Sequence, residues 1–113
     1  MLAKPYRLTK ERDFKRVNAL GRSFFSPQFR VKVLANNSAT TRSAIVTSAK
    51  LSKKAVVRNR LRRQLSEIIR LSLPRLATGY DLVVSVKSPA IDRDYQLLES
   101  DLTALLIKAK LLK

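Results

Sequence analysis

The chain has 113 residues, 45% of them hydrophobic, which predicts one domain, residues 1–113, with its own apolar core. It carries 24 Lys and Arg against 8 Asp and Glu, a net charge of +16, and contains no Cys and no His. This composition excludes disulfides, a thiolate nucleophile, an imidazole base and the common zinc-ligand sets, and it favours a polyanionic partner.

The positive charge lies in the first two thirds of the chain. Residues 1–75 hold 19 Lys and Arg against 3 Asp and Glu, whereas residues 76–113 hold 5 against 5. Nucleic acid is the expected partner of such a basic domain. A basic membrane binder is the alternative, but no tract is long and apolar enough to insert, and the start has no signal-peptide pattern. We therefore expect a cytoplasmic protein with no membrane partner and no small-molecule substrate.

The first predicted element is a short helix over residues 10–20, with Thr9 as its N-cap and Gly21 past its end. The basic residues before it include Pro5, which predicts an extended lead-in. Phe14 is interpreted as a core anchor of this helix, and stacking on a nucleotide base is the alternative.

Strand candidates follow the first helix over residues 23–26, 29–35 and 43–48. The turn-forming residues 36–38 predict a hairpin between the second and third candidates. Arg30 and Lys32 alternate with apolar residues, so we expect them side by side on one sheet face. That face is either a solvated surface or a basic floor for a nucleic-acid strand.

A central helix is predicted over residues 54–72 and is closed by Pro74. At about 100° per residue, one side of it holds Val57, Leu61, Leu65, Ile68 and Ser72. The other side holds Asn59, Arg62, Arg63, Ser66 and Arg70. The first side is expected to pack on the core and the second to meet phosphate, for which the planar donor fork of arginine is suited.

The segment 50–63, called the basic segment below, leads into and begins this helix. It has no carboxylate, and its seven cations are Lys50, Lys53, Lys54, Arg58, Arg60, Arg62 and Arg63. Asn59 adds a donor and an acceptor between two arginines. A solvated basic helix face is the alternative to a nucleic-acid interface.

Residues 81–87 form the most strongly strand-like segment, and their near-continuous apolar run predicts an interior strand. A last helix is predicted from residue 93 to about residue 111, with one apolar stripe of Leu98, Leu102, Leu105, Ala109 and Leu112. Asp92 is predicted to cap this helix and Asp94 to favour its positive end, with a metal clamp as the alternative.

The element order is helix, strand, strand, strand, helix, strand, helix. It predicts an α+β domain in which three helices pack on a small four-stranded sheet. Neither a catalytic residue nor a metal ligand is assigned to this chain, because its carboxylates are scattered and it lacks a glycine-rich phosphate loop.

The sequence Ala-Val-Val-Arg-Asn-Arg-Leu-Arg-Arg, residues 55–63, resembles the Arg-Asn-Arg signature of the protein subunit of bacterial ribonuclease P. The resemblance extends over nearly the whole chain, with further matches at Arg7-Leu8, Asp13-Phe14, Gly21, Lys50, Asp81, Lys87 and Pro89-Ala90. It implies the predicted fold with an unusual left-handed crossover from the third strand through the central helix to the last strand, the opposite of the usual hand.

The resemblance also implies a function. The chain would be part of an endoribonuclease holoenzyme in which a catalytic RNA removes the 5′ leader from precursor tRNA. Mg²⁺ is expected through the RNA and the substrate, and none is expected to be bound by protein residues alone. The implied partners are the catalytic ribonuclease P RNA and the precursor tRNA 5′ leader.

Two sets of residues are expected to contact RNA, some from the resemblance and the others, Lys53, Lys54, Arg12, Arg30 and Lys32, from the charge pattern. The catalytic RNA would be bound by Lys50, Lys53, Lys54, Arg58, Asn59, Arg60, Arg62 and Arg63. The leader would lie in a cleft between the sheet and the first helix, lined by Arg12, Phe14, Arg30 and Lys32.

Four positions depart from the family pattern. Asn18 and Lys32 replace aromatic residues, Leu51 replaces a lysine and Lys53 replaces a glycine. Leader binding is therefore expected to depend more on charge than on stacking. The alternative functions are a basic ribosomal protein, a general RNA-folding factor and, more distantly, a helix-turn-helix DNA-binding protein.

Overall fold

The computed structural model of this chain describes residues 4–47 and 50–112. Its helices and strands are α1 Glu11–Leu20, β1 Arg22–Phe25, β2 Phe29–Ala35, β3 Arg42–Val46, α2 Ala55–Ser72, β4 Tyr80–Val86 and α3 Tyr95–Lys108. Short 3₁₀ turns cover Lys4–Tyr6, Leu73–Arg75 and Ser88–Asp92. The predicted order of elements and the α+β class are confirmed. The predicted extended lead-in is wrong over Lys4–Tyr6, which forms a 3₁₀ turn. The start of the lead-in and the end of the predicted third strand lie outside the described residues.

The four strands form one mixed sheet in the order β1-β2-β4-β3. β1 and β2 form an antiparallel hairpin, β4 runs antiparallel to β2, and β3 runs parallel to β4. The predicted hairpin between β2 and β3 is therefore wrong. Asn37 does make a turn, with a φ of 58°, but β4 pairs with both β2 and β3 and separates them.

The interior position of β4 follows from its sequence. Leu82 and Val84 point into a core beneath α2 and α3, while Val83 between them points into a second core beneath α1. A strand that is buried on both faces requires a near-continuous apolar run. The predicted interior strand is confirmed, and the parallel β3–α2–β4 connection is a crossover whose left-handedness stays a prediction.

The larger core lies between the sheet and the two long helices. Its fully buried side chains include Phe29, Val31, Leu61, Leu65, Ile68, Ile69, Leu98, Leu102 and Leu106. The predicted apolar sides of α2 and α3 are confirmed. Ser66 was predicted on the polar side of α2 but is 7% exposed, and it lines a cavity together with Arg7 of the lead-in and Ser43 of β3.

The smaller core lies under α1, where Leu8, Val17 and Val83 are buried. Gly21 follows α1 and donates its N–H to the Val17 carbonyl at 2.8 Å. A Cβ at position 21 would lie 2.5 Å from the oxygen of Val17 and 3.2 Å from that of Val33. Glycine is therefore needed because a side chain here would collide with the Val17 carbonyl of α1 and would crowd β2, and not for a left-handed cap, since its φ is −72°.

Two predicted helix caps are wrong. Lys10, not Thr9, precedes α1, and no side chain caps this helix. At α3, Asp94 is the N-cap, and its Oδ1 accepts the Leu97 N–H at 2.9 Å. Asp92 does not cap α3 because it belongs to the 3₁₀ turn, which delays the start of the helix.

Candidate nucleic-acid interface

The basic segment surrounds the first turns of α2. Within it Lys50, Lys53, Lys54, Asn59, Arg62 and Arg63 are exposed, whereas Arg58 and Arg60 are half-buried. The salt bridges among residues 4–47 and 50–112 join other residues, so none of the seven cations is paired with a carboxylate there. This surface therefore keeps its full positive charge.

Three arginines of the basic segment make hydrogen bonds to uncharged groups. Arg58 Nη1 donates to the Ser52 carbonyl at 2.7 Å, and Arg60 Nη2 donates to the Ile91 carbonyl at 2.8 Å. Arg62 donates to Asn59 Oδ1. An arginine has five N–H donors, so each keeps others for a ligand. These contacts orient the guanidinium groups without neutralising them.

The start of α2 adds a further attraction for anions. Its first turn contains no acidic residue, and Lys54 at the N-cap position makes no side-chain cap. Free backbone N–H groups and the helix dipole favour phosphate at such an end. Beside it an open concavity of about 560 Å³ is lined by Val56, Asn59, Arg62 and Arg63. Val56 is 78% exposed, so apolar surface and donors lie next to each other.

A second basic surface lies on the α1 side of the sheet. Ala44, Leu34 and Val83 pack beneath α1, whereas the opposite end of the strands is left open. Arg30 and Lys32 point to this side, as the strand alternation predicted. We call this open end the basic sheet face, formed by Ser23, Phe25, Arg30, Lys32, Ser85 and Lys87.

The predicted cleft residues occupy different parts of this side. Lys32 is half-buried, and its Nζ donates to the Asn18 carbonyl of α1 at 2.8 Å, which places its charge where the helix meets the sheet. Arg12 is exposed on α1. Phe14 is half-buried and packs on the smaller core, in agreement with its interpretation as an anchor. It also lines a cavity of about 230 Å³ with Arg7, Ser43 and Arg62.

Phe25 and Lys87 belong to the basic sheet face and were not predicted as site residues. The Phe25 ring is 57% exposed. Its centroid lies 5.8 Å from Cζ of Arg30 and 5.4 Å from Nζ of Lys87. Two adjacent phenylalanines in a strand must point to opposite faces, and only Phe24 packs on the larger core. This alternation along β1 is the sequence signal that would have identified Phe25 as an exposed aromatic residue on the α1 side of the sheet.

The buried acids of the described region are engaged away from both basic surfaces. Arg42 donates from Nε and Nη2 to the two oxygens of Asp81, each at 2.9 Å, and from Nη1 to Asp13 at 3.3 Å. The hydrogen bonds with Asp81 raise the pKa of Arg42 above its ordinary value. Asp81 is 2% exposed and also accepts from Asn36 at 2.9 Å. This network joins α1 to the sheet.

Neither a metal site nor a membrane span is found in the described part of the chain. Between 4 and 47, and between 50 and 112, no three or more Asp and Glu side chains are grouped so that they could hold a metal ion. In these two ranges no helix has both the length and the apolar character that crossing a bilayer requires.

The family model described as Ribonuclease P matches residues 2–110, which is nearly the whole chain. The chain belongs to the ribonuclease P protein family. The resemblance carried by the Arg-Asn-Arg signature is thereby confirmed, as is the prediction that the chain is part of a ribonuclease P holoenzyme. Because the chain belongs to this family, the ribosomal-protein and DNA-binding alternatives no longer apply.

Relatives and solved structures agree with this membership. The ribonuclease P protein component of Chloroflexus aurantiacus is 41% identical over 112 residues, which cover 98% of this chain and 82% of the relative. The solved RNase P protein of Staphylococcus aureus is 29% identical, with a TM-score of 0.88 over 96% of this chain and 98% of that one. The Thermotoga maritima RNase P protein is 30% identical, with a TM-score of 0.81 over 88% and 94%.

Proposed function

We propose that this ribonuclease P protein binds the catalytic RNA through the basic segment and the single-stranded 5′ leader of precursor tRNA through the basic sheet face. The proposal depends on one observation. Among the described residues, none of the seven cations of the basic segment forms a salt bridge with a carboxylate. Unneutralised arginines at a helix start match the geometry of phosphate recognition.

The proposed contribution of the protein is electrostatic positioning. A catalytic RNA and its tRNA substrate are both polyanions, and their repulsion opposes association. A protein with cations on two surfaces lowers that repulsion and holds the substrate near the cleavage site. The chemistry is assigned to the RNA with Mg²⁺ held by RNA and substrate. Because the relatives are bacterial proteins, we place this activity in the cytoplasm.

Reconstitution at low Mg²⁺ tests the proposal. Catalytic RNA should cleave precursor tRNA faster with the protein than without it, and the difference should shrink as Mg²⁺ is raised, because the cation then provides the screening. A triple variant, Lys53→Ala, Lys54→Ala and Arg63→Ala, should lose most of the stimulation. Equal rates with and without protein would reject the proposal.

A matched triple variant controls for total charge. Arg75, Arg93 and Lys108 are exposed cations outside the two basic surfaces. Their replacement by alanine removes the same charge and should retain most of the stimulation. If both triple variants fail equally, the effect comes from net charge and not from the basic segment.

The leader contact has its own test. Arg30→Ala and Lys32→Ala should weaken holoenzyme binding of leader-bearing precursor more than binding of mature tRNA, since only the precursor reaches the sheet. Lys108→Ala, on α3, should weaken neither. Equal losses for precursor and mature tRNA would place the two residues outside the leader site.

A further inference from the structure

Phe25 is an exposed aromatic side chain in a polar, cationic setting. More than half of its surface is open, at 57% exposure, and its ring lies between Arg30 and Lys87 within cation–π distance. Isolated exposed apolar residues are common on proteins. A phenylalanine flanked by two cations on an open sheet face is a more specific arrangement.

The hairpin that carries Phe25 is fixed by several contacts. Ser26 N–H donates to the Phe29 carbonyl at 2.9 Å, and Phe29 N–H donates to Ser26 Oγ at 3.1 Å. Lys87 Nζ donates to the Ser26 carbonyl at 2.9 Å. On the other side of the sheet, Ser26 Oγ donates to Asp101 of α3 at 2.6 Å. The backbone that carries the ring is thus fixed before any ligand arrives, which lowers the entropy cost of binding.

We propose that Phe25 is a stacking site for one unpaired base of the 5′ leader, with Arg30 and Lys87 binding the adjoining phosphates. This inference rests on the proposed leader binding. It adds a base-stacking position to the basic sheet face, whose other proposed contacts with the leader are electrostatic. A nucleotide is the ligand that combines a flat π face with a negative charge. Aromatic side chains and cations together are the usual means of holding single-stranded RNA.

The surroundings favour a nucleotide over an apolar protein partner. The side chains next to Phe25 on this face are Ser23, Arg30, Ser85 and Lys87, all polar or charged. An apolar partner would have to desolvate two cations to cover one ring, which costs free energy. An RNA strand pairs those cations with phosphate instead.

Binding of the reconstituted holoenzyme to two precursors tests the inference. One precursor carries a long single-stranded leader, and the other a leader cut to a single nucleotide. Phe25→Ala should weaken binding of the long-leader precursor by about fivefold or more, the effect of removing one stacked base. It should leave binding of the short-leader precursor unchanged, because the shortened leader lacks the stacked base. Phe25→Tyr should restore binding because it keeps the ring.

An abasic scan identifies the stacked base. Replacing leader nucleotides one at a time by abasic sites should reveal one position where the abasic change and Phe25→Ala together cost no more than either alone, as expected for two changes that remove the same interaction. Additive losses at every position would overturn the stacking site.

A fluorescence measurement gives a readout independent of affinity. The chain has no Trp, so Phe25→Trp introduces a single indole fluorophore. Its emission should be quenched by the long-leader precursor and not by the same precursor with the identified base removed. Unchanged emission on binding would also overturn the inference.

Two controls separate the possible failures. Leu97 on α3 is similarly exposed, at 53%, and lies on the other side of the sheet, so Leu97→Ala should have no effect. If Arg30→Ala weakens long-leader binding but Phe25→Ala does not, the leader contact stands and the stacking site fails. If neither change matters, the proposed leader site itself fails. Thermal unfolding of each free variant confirms that it is folded.

Discussion

At the scale of single residues, the arginines of the basic segment fall into two kinds. Arg60 donates to the Ile91 carbonyl and so joins α2 to the turn before α3. Arg63 is exposed and makes no side-chain hydrogen bond or ion pair within the described residues. Sequence position predicted that both carry free charge, but not that one of them also supports the fold, because Ile91 is far away in the chain.

This difference predicts distinct phenotypes for Arg63→Ala and Arg60→Ala. Both should flatten the salt dependence of catalytic-RNA binding by about one ion for each phosphate that the variant no longer binds. Arg60→Ala should also lower the free energy of unfolding by about 1 kcal/mol, because it removes a hydrogen bond from the folded chain. Binding isotherms at several salt concentrations and urea unfolding measure the two effects. An unchanged slope for Arg63→Ala would place it outside the interface.

The Arg42 network predicts a purely structural phenotype. Arg42→Ala leaves the buried carboxylate of Asp81 without its cation and should lower the free energy of unfolding by about 3 kcal/mol. Arg70→Ala breaks the exposed pair with Glu67 and should cost far less, because solvent screens that pair. Urea unfolding of the two variants checks this, and similar losses would mean that Asp81 is compensated by other groups.

At the scale of elements, the junction between α1 and β1 sets how closely the helix lies against the sheet. Gly21→Ala should lower the free energy of unfolding by about 1–3 kcal/mol, because its Cβ would meet the carbonyl oxygens of Val17 and Val33. Leu20→Ala, one residue earlier and 68% exposed, is the matched control and should change little. Equal stability of the glycine variant and the parent would show that α1 moves without cost.

The elements also show where sequence patterns stop being informative. Hydrophobic periodicity predicted all three helices, the four strands and the interior position of β4, since these depend on local spacing. It failed for the pairing of β3, which depends on a partner that comes more than thirty residues later. For Phe25, local alternation with Phe24 indicates an outward ring, but the pairing of that ring with cations depends on β2 and on the residue after β4.

At the scale of the whole molecule, the net charge of +16 opposes folding in the absence of a polyanion. We expect the thermal midpoint of the free protein to rise with added salt, because screening weakens the self-repulsion. Catalytic RNA at about 100 times its Kd should stabilise the protein by about 2.7 kcal/mol. An uncharged crowding polymer is the control, and an equal effect from that polymer would contradict a specific complex.

The single hydrogen-bonded sheet has a consequence for where the RNA is cut. β1, which carries Phe25, and β3, which precedes the basic segment in the chain, are the two margins of the sheet, about 14 Å apart across three strand spacings. Under the proposed assignment, the protein holds the ribozyme and the leader at a fixed separation. The cleavage point would then be measured by distance, and leaders of many different sequences would be cut at the same phosphodiester.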